Sequence, residues 1–334
     1  MDTVSDNSRP PVRLSPRRLA HANIFVSDVE KSVAFYNAIC GLEVVLRQPE
    51  IKAGFLSNGN THHDIGMLQV TDTEVVGEAG HRILSPGQGA RPSLYHLGWE
   101  MENERELVEA HKRAQAAGLK IWRTVRHRAS HSVYLFDPDG NIHEFYADVA
   151  VDWRRLYAEE TSLSGTWNPG ENTPSVDAKY DPAAQIRSVE GAPVHPLRMS
   201  HAVMVVRNAE LMHDFFVNTV GLREVGRSPD GEAISYASRA SRYHFVIATV
   251  AQDEASRPRD KGLHHFALEM ASPAEVDRAE RALTASGVGV ERSISSSRKR
   301  SIFIRDPDRM LVEFCCATGP NSGGATLEGD AFEL

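Results

Sequence analysis

Apolar and polar positions alternate along the chain in an order that occurs twice. The segment LAHANIFVSDVEKSVAFYNAICGLEVV at residues 19–45 returns as MSHAVMVVRNAELMHDFFVNTVGLREV at residues 199–225. Each copy has an apolar run typical of a strand, a polar turn, and then apolar positions near i, i+3, i+4 and i+7, which predict an amphipathic helix. Gly41 and Gly221 follow these helices, where a helix C-terminus favours glycine. The repeat therefore predicts the same strand–helix–strand unit in both halves.

A second repeated pattern divides each half again. Residues 95–125 and residues 264–294 both predict a strand, a helix, a glycine and another strand. The chain therefore contains four βα-type units of roughly 50 to 60 residues, arranged as two pairs. Residues 161–185 between the pairs are rich in Pro, Gly, Ser and Asn and predict a linker. We place the two domains at residues 17–150 and 197–317, the linker at 151–196, and flexible tails at 1–16 and 318–334.

Composition and charge narrow the class of protein. The 334 residues are 41% hydrophobic and 25% charged, which is typical of a globular protein large enough for two cores. A net charge of −8 argues against a nucleic-acid or anionic-membrane partner, and no apolar run approaches the length of a membrane-spanning helix. The N-terminus lacks the apolar core of a signal peptide, and two of the three cysteines, Cys315 and Cys316, are adjacent. These features predict a cytoplasmic protein without a disulfide framework.

Candidate metal ligands recur at matched places in the two halves. Histidines lie near the start of predicted strands, and a glutamate lies in a last strand just after a DPDG-type hairpin turn. A lone strand histidine is most often a core or surface residue, but three ligand types that recur together favour a metal site. A sheet curled around a cavity would join two imidazoles and one carboxylate, the set that suits non-heme Fe(II) with open positions. The matched pairs are His21 with His201, His96 with His265, Glu144 with Glu313, and His63 with His244.

The motifs LAHANIFV, THHDIGM, SLYHLGWEM and RHRASHSVYLFDPDGNIHEF resemble the vicinal oxygen chelate superfamily, which includes glyoxalases, bleomycin resistance proteins and dioxygenases. The chain is most similar to the two-domain type I extradiol dioxygenases of the catechol 2,3-dioxygenase kind, over residues 17–148 and 197–316. This resemblance implies an α+β fold in which four βαβββ modules pair into two domains, each with a curled mixed sheet around a metal-site cavity. It also implies a homo-oligomer.

The resemblance assigns roles to individual residues of the first half. His21, His96 and Glu144 match the ligands of Fe(II), and Mn(II) is the alternative metal because the same donors accept it. A catechol-type aromatic diol and O₂ are then the implied substrates. Three further residues match groups that handle protons or contact the substrate: His63, His127 and Tyr134.

The second half departs from this pattern. Phe303 stands where the first half has Tyr134, and the segment SISSSRKR, which matches the region of His127, contains no histidine. Common two-domain members of the family hold iron in the C-terminal half. Here the first half is predicted to be the catalytic one, because the second half lacks counterparts of Tyr134 and His127.

Three alternatives stay open for the second triad, His201, His265 and Glu313. It either binds a metal without turnover or is a residual site. In the third alternative the modules pair differently, and His21 shares a metal with His265 and Glu313.

Two other functions are compatible with the same fold. A glyoxalase-like isomerase or lyase usually needs a fourth ligand, commonly glutamate, near the position where this chain has Met67. A non-catalytic small-molecule-binding protein needs no metal, and the retention of both triads argues against it. A metal assay separates these classes.

Smaller features complete the prediction. Strand alternation predicts that His62 and His143 point away from the site. Trp99 and Met67 either line an aromatic pocket or pack in the core. The basic run at residues 298–300 is interpreted as a solvated face, with an anionic substrate group as the alternative.

Overall fold

The computed structural model describes residues 11–77, 80–159, 164–229, 231, 233–240 and 262–318, together with the backbone of 247–251. His244 and most of the predicted C-terminal tail lie outside these residues. The helices are α1 (Val29–Ala38), α2 (Glu104–Ala116), α3 (Trp153–Ala158), α4 (Ala209–Asp214), which continues as a π-helical turn over Phe215–Val220, and α5 (Pro273–Ala285). A 3₁₀ turn covers Pro49–Ile51.

The strands of the first half are β1 (Arg18–Val26), β2 (Glu43–Gln48), β3 (Ala53–Ser57), β4 (Ile65–Gln69), β5 (Val75–Val76), β6 (Arg82–Leu84), β7 (Ser93–Glu100), β8 (Ile121–Arg126), β9 (Ser130–Phe136), β10 (Ile142–Asp148) and β11 (Gly165–Thr166). Those of the second half are β12 (Arg198–Val206), β13 (Arg223–Arg227), β14 (Ala233–Ala237), β15 (Ile247–Ala251), β16 (Gly262–Glu269), β17 (Val290–Ser295), β18 (Lys299–Arg305) and β19 (Leu311–Ala317).

Each half forms one mixed sheet from two of the predicted units. The first sheet has the order β11-β8-β9-β10-β7-β1-β4-β3-β2, and the second has the order β13-β14-β15-β12-β16-β19-β18-β17. In each, two units join through an antiparallel pair, β1 with β7 and β12 with β16. The predicted α+β class with two curled mixed sheets is confirmed. The alternative module pairing, in which His21 shares a metal with His265 and Glu313, is wrong because these residues belong to different sheets.

Local signals in the sequence explain where the helices begin and end. The side chain of Asp28 accepts hydrogen bonds from the first turn of α1, and that of Ser272 does the same for α5. Gly41 and Gly221 follow α1 and the π-helical turn with φ of +71° and +86°. This left-handed backbone is the one that glycine favours at a helix C-terminus, so the predicted helix ends are confirmed.

The recurring DPDG-type turns join the two halves. The carboxylate of Asp139 accepts hydrogen bonds from Arg207, from its backbone N at 2.8 Å and from its Nε at 2.9 Å. Asp308, at the matching place in the second half, accepts one from the backbone N of Ser27 at 2.9 Å. Each aspartate therefore binds the residue that follows the central strand of the other half. The repeat of this turn has a structural cause that does not depend on any metal.

Replacing Asp139 by alanine is expected to lower the free energy of unfolding by about 1–3 kcal/mol, because a hydrogen-bonded carboxylate is lost from the contact between the halves. Urea unfolding followed by circular dichroism measures the change. Asp139→Asn is the matched control, since an amide oxygen can still accept from the backbone N of Arg207. Equal stability of Asp139→Ala and the unchanged protein would contradict this role.

The core lies between the two sheets and their helices. It joins side chains of both halves, among them Trp99 and Phe216, and it includes Met67. Trp99 donates a hydrogen bond from Nε1 to Nδ1 of His143 at 3.0 Å, and the His143 ring lies 5.2 Å from that of Phe215. His143 therefore points away from Glu144, as predicted. Trp99 and Met67 are core residues.

Two segments outside the predicted domains also pack against the sheets. Leu14, within the predicted N-terminal tail, is 2% exposed and donates its backbone N–H to Thr219. This part of the tail is therefore ordered against the second half. The predicted linker contributes α3 and also β11, which pairs with β8. Among the described helices, none has both the length and the apolar character needed to cross a membrane.

Candidate metal centre and its cavity

The three predicted ligands of the first half lie on adjacent strands at the centre of the first sheet. His21 is on β1, His96 on β7 and Glu144 on β10. Gly98 of β7 is paired with both His21 and Glu144, so all three side chains leave the same face of the sheet. An ideal Cβ at Gly98 would lie 2.0 Å from Nε2 of His21, so glycine leaves the room that this ring occupies.

The three side chains converge on one point. Oε2 of Glu144 lies 2.9 Å from Nε2 of His21 and 3.0 Å from Nε2 of His96. Two donors that each lie about 2.1 Å from an octahedral metal are about 3.0 Å apart, so these separations suit adjacent ligands of one ion. Two imidazoles and one carboxylate on one face leave the opposite coordination positions open.

Protonation and burial also fit a divalent metal. Burial lowers the pKa of His21 to about 4, so the ring is neutral at pH 7. Burial raises the pKa of Glu144, but hydrogen bonds with His21 and His96 outweigh it and hold the pKa well below its usual range. Among the described residues, Nδ1 of the buried His96 has no hydrogen-bond partner. Neutral imidazoles and a charged carboxylate are the forms that bind metals.

Tyr134 and His127 lie beside this triad. The Tyr134 hydroxyl donates a hydrogen bond to Oε1 of Glu144 at 2.6 Å and lies 2.8 Å from Nε2 of His127. Because the hydroxyl proton points to Glu144, Nε2 of His127 carries a proton and donates it to the phenol oxygen. Burial raises the pKa of Tyr134 well above its usual range, which keeps the hydroxyl protonated. His127 and Tyr134, which the resemblance assigns to proton handling or substrate contact, thus lie next to each other and beside Glu144.

His63 lies on the other side of His21. The two ring centroids are 4.1 Å apart, and Nε2 of His63 is 3.1 Å from Oδ1 of Asn23, to which it donates a hydrogen bond. Burial lowers the pKa of His63 well below its usual range, so the ring is neutral. Its Nδ1 has no hydrogen-bond partner among the described residues and is able to accept a proton. His63 and His127 thus lie on the same cavity as Glu144.

The prediction that His62 points away from the site is wrong. Residues 58–64 connect β3 to β4 without forming a strand, so alternation does not apply to them. His62 lines the cavity, and its Nδ1 lies 2.8 Å from Oδ1 of Asp148. The preceding segment SNGN is rich in turn-forming residues and could have revealed the loop.

Sequence reasoning also missed Arg123 on β8. Its Nη2 donates a hydrogen bond to the Tyr95 hydroxyl at 2.6 Å, and its guanidinium carbon lies 4.7 Å above the ring of Tyr134. An arginine on an edge-side strand usually reaches solvent, and the sequence carries no signal that this one faces the cavity. The remaining wall is largely apolar and aromatic, with Ile51, Phe55, Leu68, Ile83 and Tyr157.

The second half contains a similar triad with different neighbours. Nε2 of His201 and Nε2 of His265 each lie 3.1 Å from Oε2 of Glu313. Phe303 is paired with Glu313 in the strand register, as Tyr134 is paired with Glu144. Phe303 therefore lies beside Glu313 at the place that Tyr134 occupies beside Glu144.

The interpretation of residues 298–300 as a solvated face holds only for Arg298. Nζ of Lys299 lies 2.7 Å from Oε1 of Glu313. Arg300 is buried on the opposite face of β18, where it pairs with Asp277 and Glu280 of α5. Alternation along β18 sends consecutive residues to opposite faces, and both faces are covered.

Comparison with known proteins gives a family and a fold. The sequence model of the Glyoxalase/Bleomycin resistance protein/Dioxygenase superfamily matches residues 18–145 and 198–314. The chain is 26% identical over 140 residues to Metapyrocatechase 2 of Cupriavidus necator, a match that covers 41% of this chain and 38% of that relative. It is 21% identical over 293 residues to Catechol-2,3-dioxygenase of Bacillus subtilis strain 168, covering 86% of this chain and 93% of the relative.

A solved structure agrees with this assignment at the level of the fold. The 2,3-dioxygenase LapB of Pseudomonas sp. KL28 superposes with a TM-score of 0.66 at 18% identity. The superposition covers 95% of this chain and 99% of that one, so both halves and their relative placement are shared.

Proposed function

The chain belongs to the Glyoxalase/Bleomycin resistance protein/Dioxygenase superfamily, and on that premise we propose that its first half is an extradiol dioxygenase. Its substrates are a catechol-type aromatic diol and O₂, and the ring opens beside the diol. One observation carries the proposal: the phenol of Tyr134, the imidazole of His127 and the facial triad meet at Glu144 in one cavity. The names of the two relatives support the same reaction class.

His21, His96 and Glu144 would hold the metal. Fe(II) held there would supply Lewis-acid chemistry that lowers the pKa of the diol hydroxyls and allows reaction with O₂. Mn(II) accepts the same donors and is the second candidate metal.

The other residues orient the diol and move its protons. Tyr134 donates its hydroxyl proton to Glu144 in this structure and can donate it instead to a diol oxygen that lies within hydrogen-bond reach. His127, which donates to the phenol oxygen, holds that hydroxyl in place. His63 is neutral and its Nδ1 has no partner within the described part of the chain, so it can accept a proton from the diol and return it later. The apolar wall excludes water and accommodates a flat ring.

A direct test uses protein that has been loaded with Fe(II) without oxygen. Addition of catechol and then O₂ is expected to give a yellow ring-opened product with uptake of one O₂ per diol, since both oxygen atoms enter the product. An oxygen electrode and the visible spectrum measure the two quantities, and a chelator-treated sample is the control. Unchanged turnover after complete metal removal would contradict the proposal, and so would a panel of catechols without O₂ uptake.

The glyoxalase-like alternative is less well supported by the cavity. Met67, near the position where a fourth ligand would be needed, is buried in the core. Among the described residues that line the cavity, Glu144 is the only carboxylate. Metal content distinguishes a non-catalytic binding protein, which needs no bound metal, from the proposed dioxygenase. The homo-oligomer, the cytoplasmic location and the domain bounds stay predictions.

A further inference from the structure

The two triads have nearly the same shape but carry different charge. In both, Nε2 of two histidines lies about 3 Å from one oxygen of a glutamate, within 2.9–3.1 Å. The other oxygen differs in its partner. Oε1 of Glu144 accepts from the neutral hydroxyl of Tyr134, whereas Oε1 of Glu313 lies 2.7 Å from the ammonium nitrogen of Lys299.

Lys299 carries a positive charge at a position where the first half has an uncharged residue. Its counterpart in β9 is Ser130, which is buried and uncharged. The Lys299 side chain is only 20% exposed and reaches across the sheet to Glu313. By contrast, Arg292 lies over the ring of Phe303 much as Arg123 lies over the ring of Tyr134. Both halves therefore have an arginine at this place.

We propose that Lys299 takes the place of the metal cation in the second triad, so that the second half binds no divalent metal. The ammonium group is protonated at neutral pH and neutralises Glu313. A divalent ion bound to the same carboxylate would lie beside this ammonium in a buried site, where like charges repel strongly. The inference rests on the proposed function only in taking the first triad as a metal site.

The floor of the second triad differs in one more residue. Ala267 is paired with His201 and Glu313, as Gly98 is paired with the matching residues of the first half. Ala267 carries the Cβ for which the first half has no room beside the His21 ring, yet both histidine nitrogens of the second triad still lie 3.1 Å from Oε2 of Glu313. The charge of Lys299 and the methyl group of Ala267 are therefore the two differences between the triads, and separate variants test each of them.

Metal counting in matched variants tests this assignment. The unchanged protein, Lys299→Ser, Lys299→Ser with Ala267→Gly, and Ala267→Gly alone are each loaded with Fe(II) without oxygen, gel-filtered and analysed by elemental mass spectrometry. The variants that lack Lys299 are expected to hold one more iron per chain than the unchanged protein. Ala267→Gly alone should match the unchanged protein. Lys299→Gln keeps an N–H donor for Glu313 and serves as a second neutral variant if the serine variants unfold.

The difference in iron content, not the absolute number, decides the outcome. No gain in any folded variant that lacks Lys299 would overturn the inference, as would a gain in Ala267→Gly alone or in the control Arg298→Ser. Iron bound at the second triad of the unchanged protein would overturn it as well. If the unchanged protein held no iron but Lys299→Ser held one, this inference would stand and the proposed function would fail.

Discussion

Glu144→Gln is expected to lose the bound metal and to lower O₂ uptake by at least about a thousandfold, because the metal supplies several kcal/mol of stabilisation to the reaction. The amide has nearly the same volume as the carboxylate but lacks the charge that opposes the ion. Glu313→Gln is the matched variant in the second half, and it should keep both the iron and kcat. Iron content and O₂ uptake are measured on the same preparations.

The contrast between these two variants assigns the active half. Circular dichroism must first show that both are folded, since each glutamate is buried and paired. Loss of turnover in Glu313→Gln with full turnover in Glu144→Gln would place the reaction in the second half. Equal loss in both would contradict the division between the halves.

Tyr134→Phe gives the first site the residue that the second half already has. The variant should retain its iron, because the phenol contacts Glu144 without being one of the three converging donors. Loss of a positioned proton donor is expected to lower kcat by about 10²–10⁴-fold. Stopped-flow formation of the yellow product measures this change.

Phe303→Tyr is the reciprocal control. It adds the same hydroxyl beside Glu313, where Lys299 already occupies the second oxygen, and it should leave kcat unchanged. A Tyr134→Phe variant with normal kcat would show that the hydroxyl has no part in the reaction. A variant that lost its iron would show that the tyrosine acts through metal binding.

The convergence of the three proposed ligands was predictable because strand residues obey a simple geometry. The repeat identified His21, His96 and Glu144 together, and alternation within β1, β7 and β10 places them on one face. Alternation also predicted correctly that His143 lies on the other face, against Trp99. These inferences needed only the period of a strand and the matched spacing of the two halves.

Other features of the site depend on contacts that no local pattern encodes. His62 lies in a loop, so its direction is set by its pairing with Asp148, which comes 86 residues later. Arg123 turns into the cavity because the hydroxyl of Tyr95 receives its hydrogen bond. Lys299 was interpreted as a surface charge, since a basic run usually faces solvent, and its partner Glu313 lies on the neighbouring strand.

The central claim is that the metal centre of this protein lies in the first half. Anomalous scattering at the iron edge, from crystals of the Fe(II)-loaded protein, counts and places the metals in one measurement. We predict a single peak per chain, among His21, His96 and Glu144. A peak only among His201, His265 and Glu313, or no iron peak at either triad, would contradict the account.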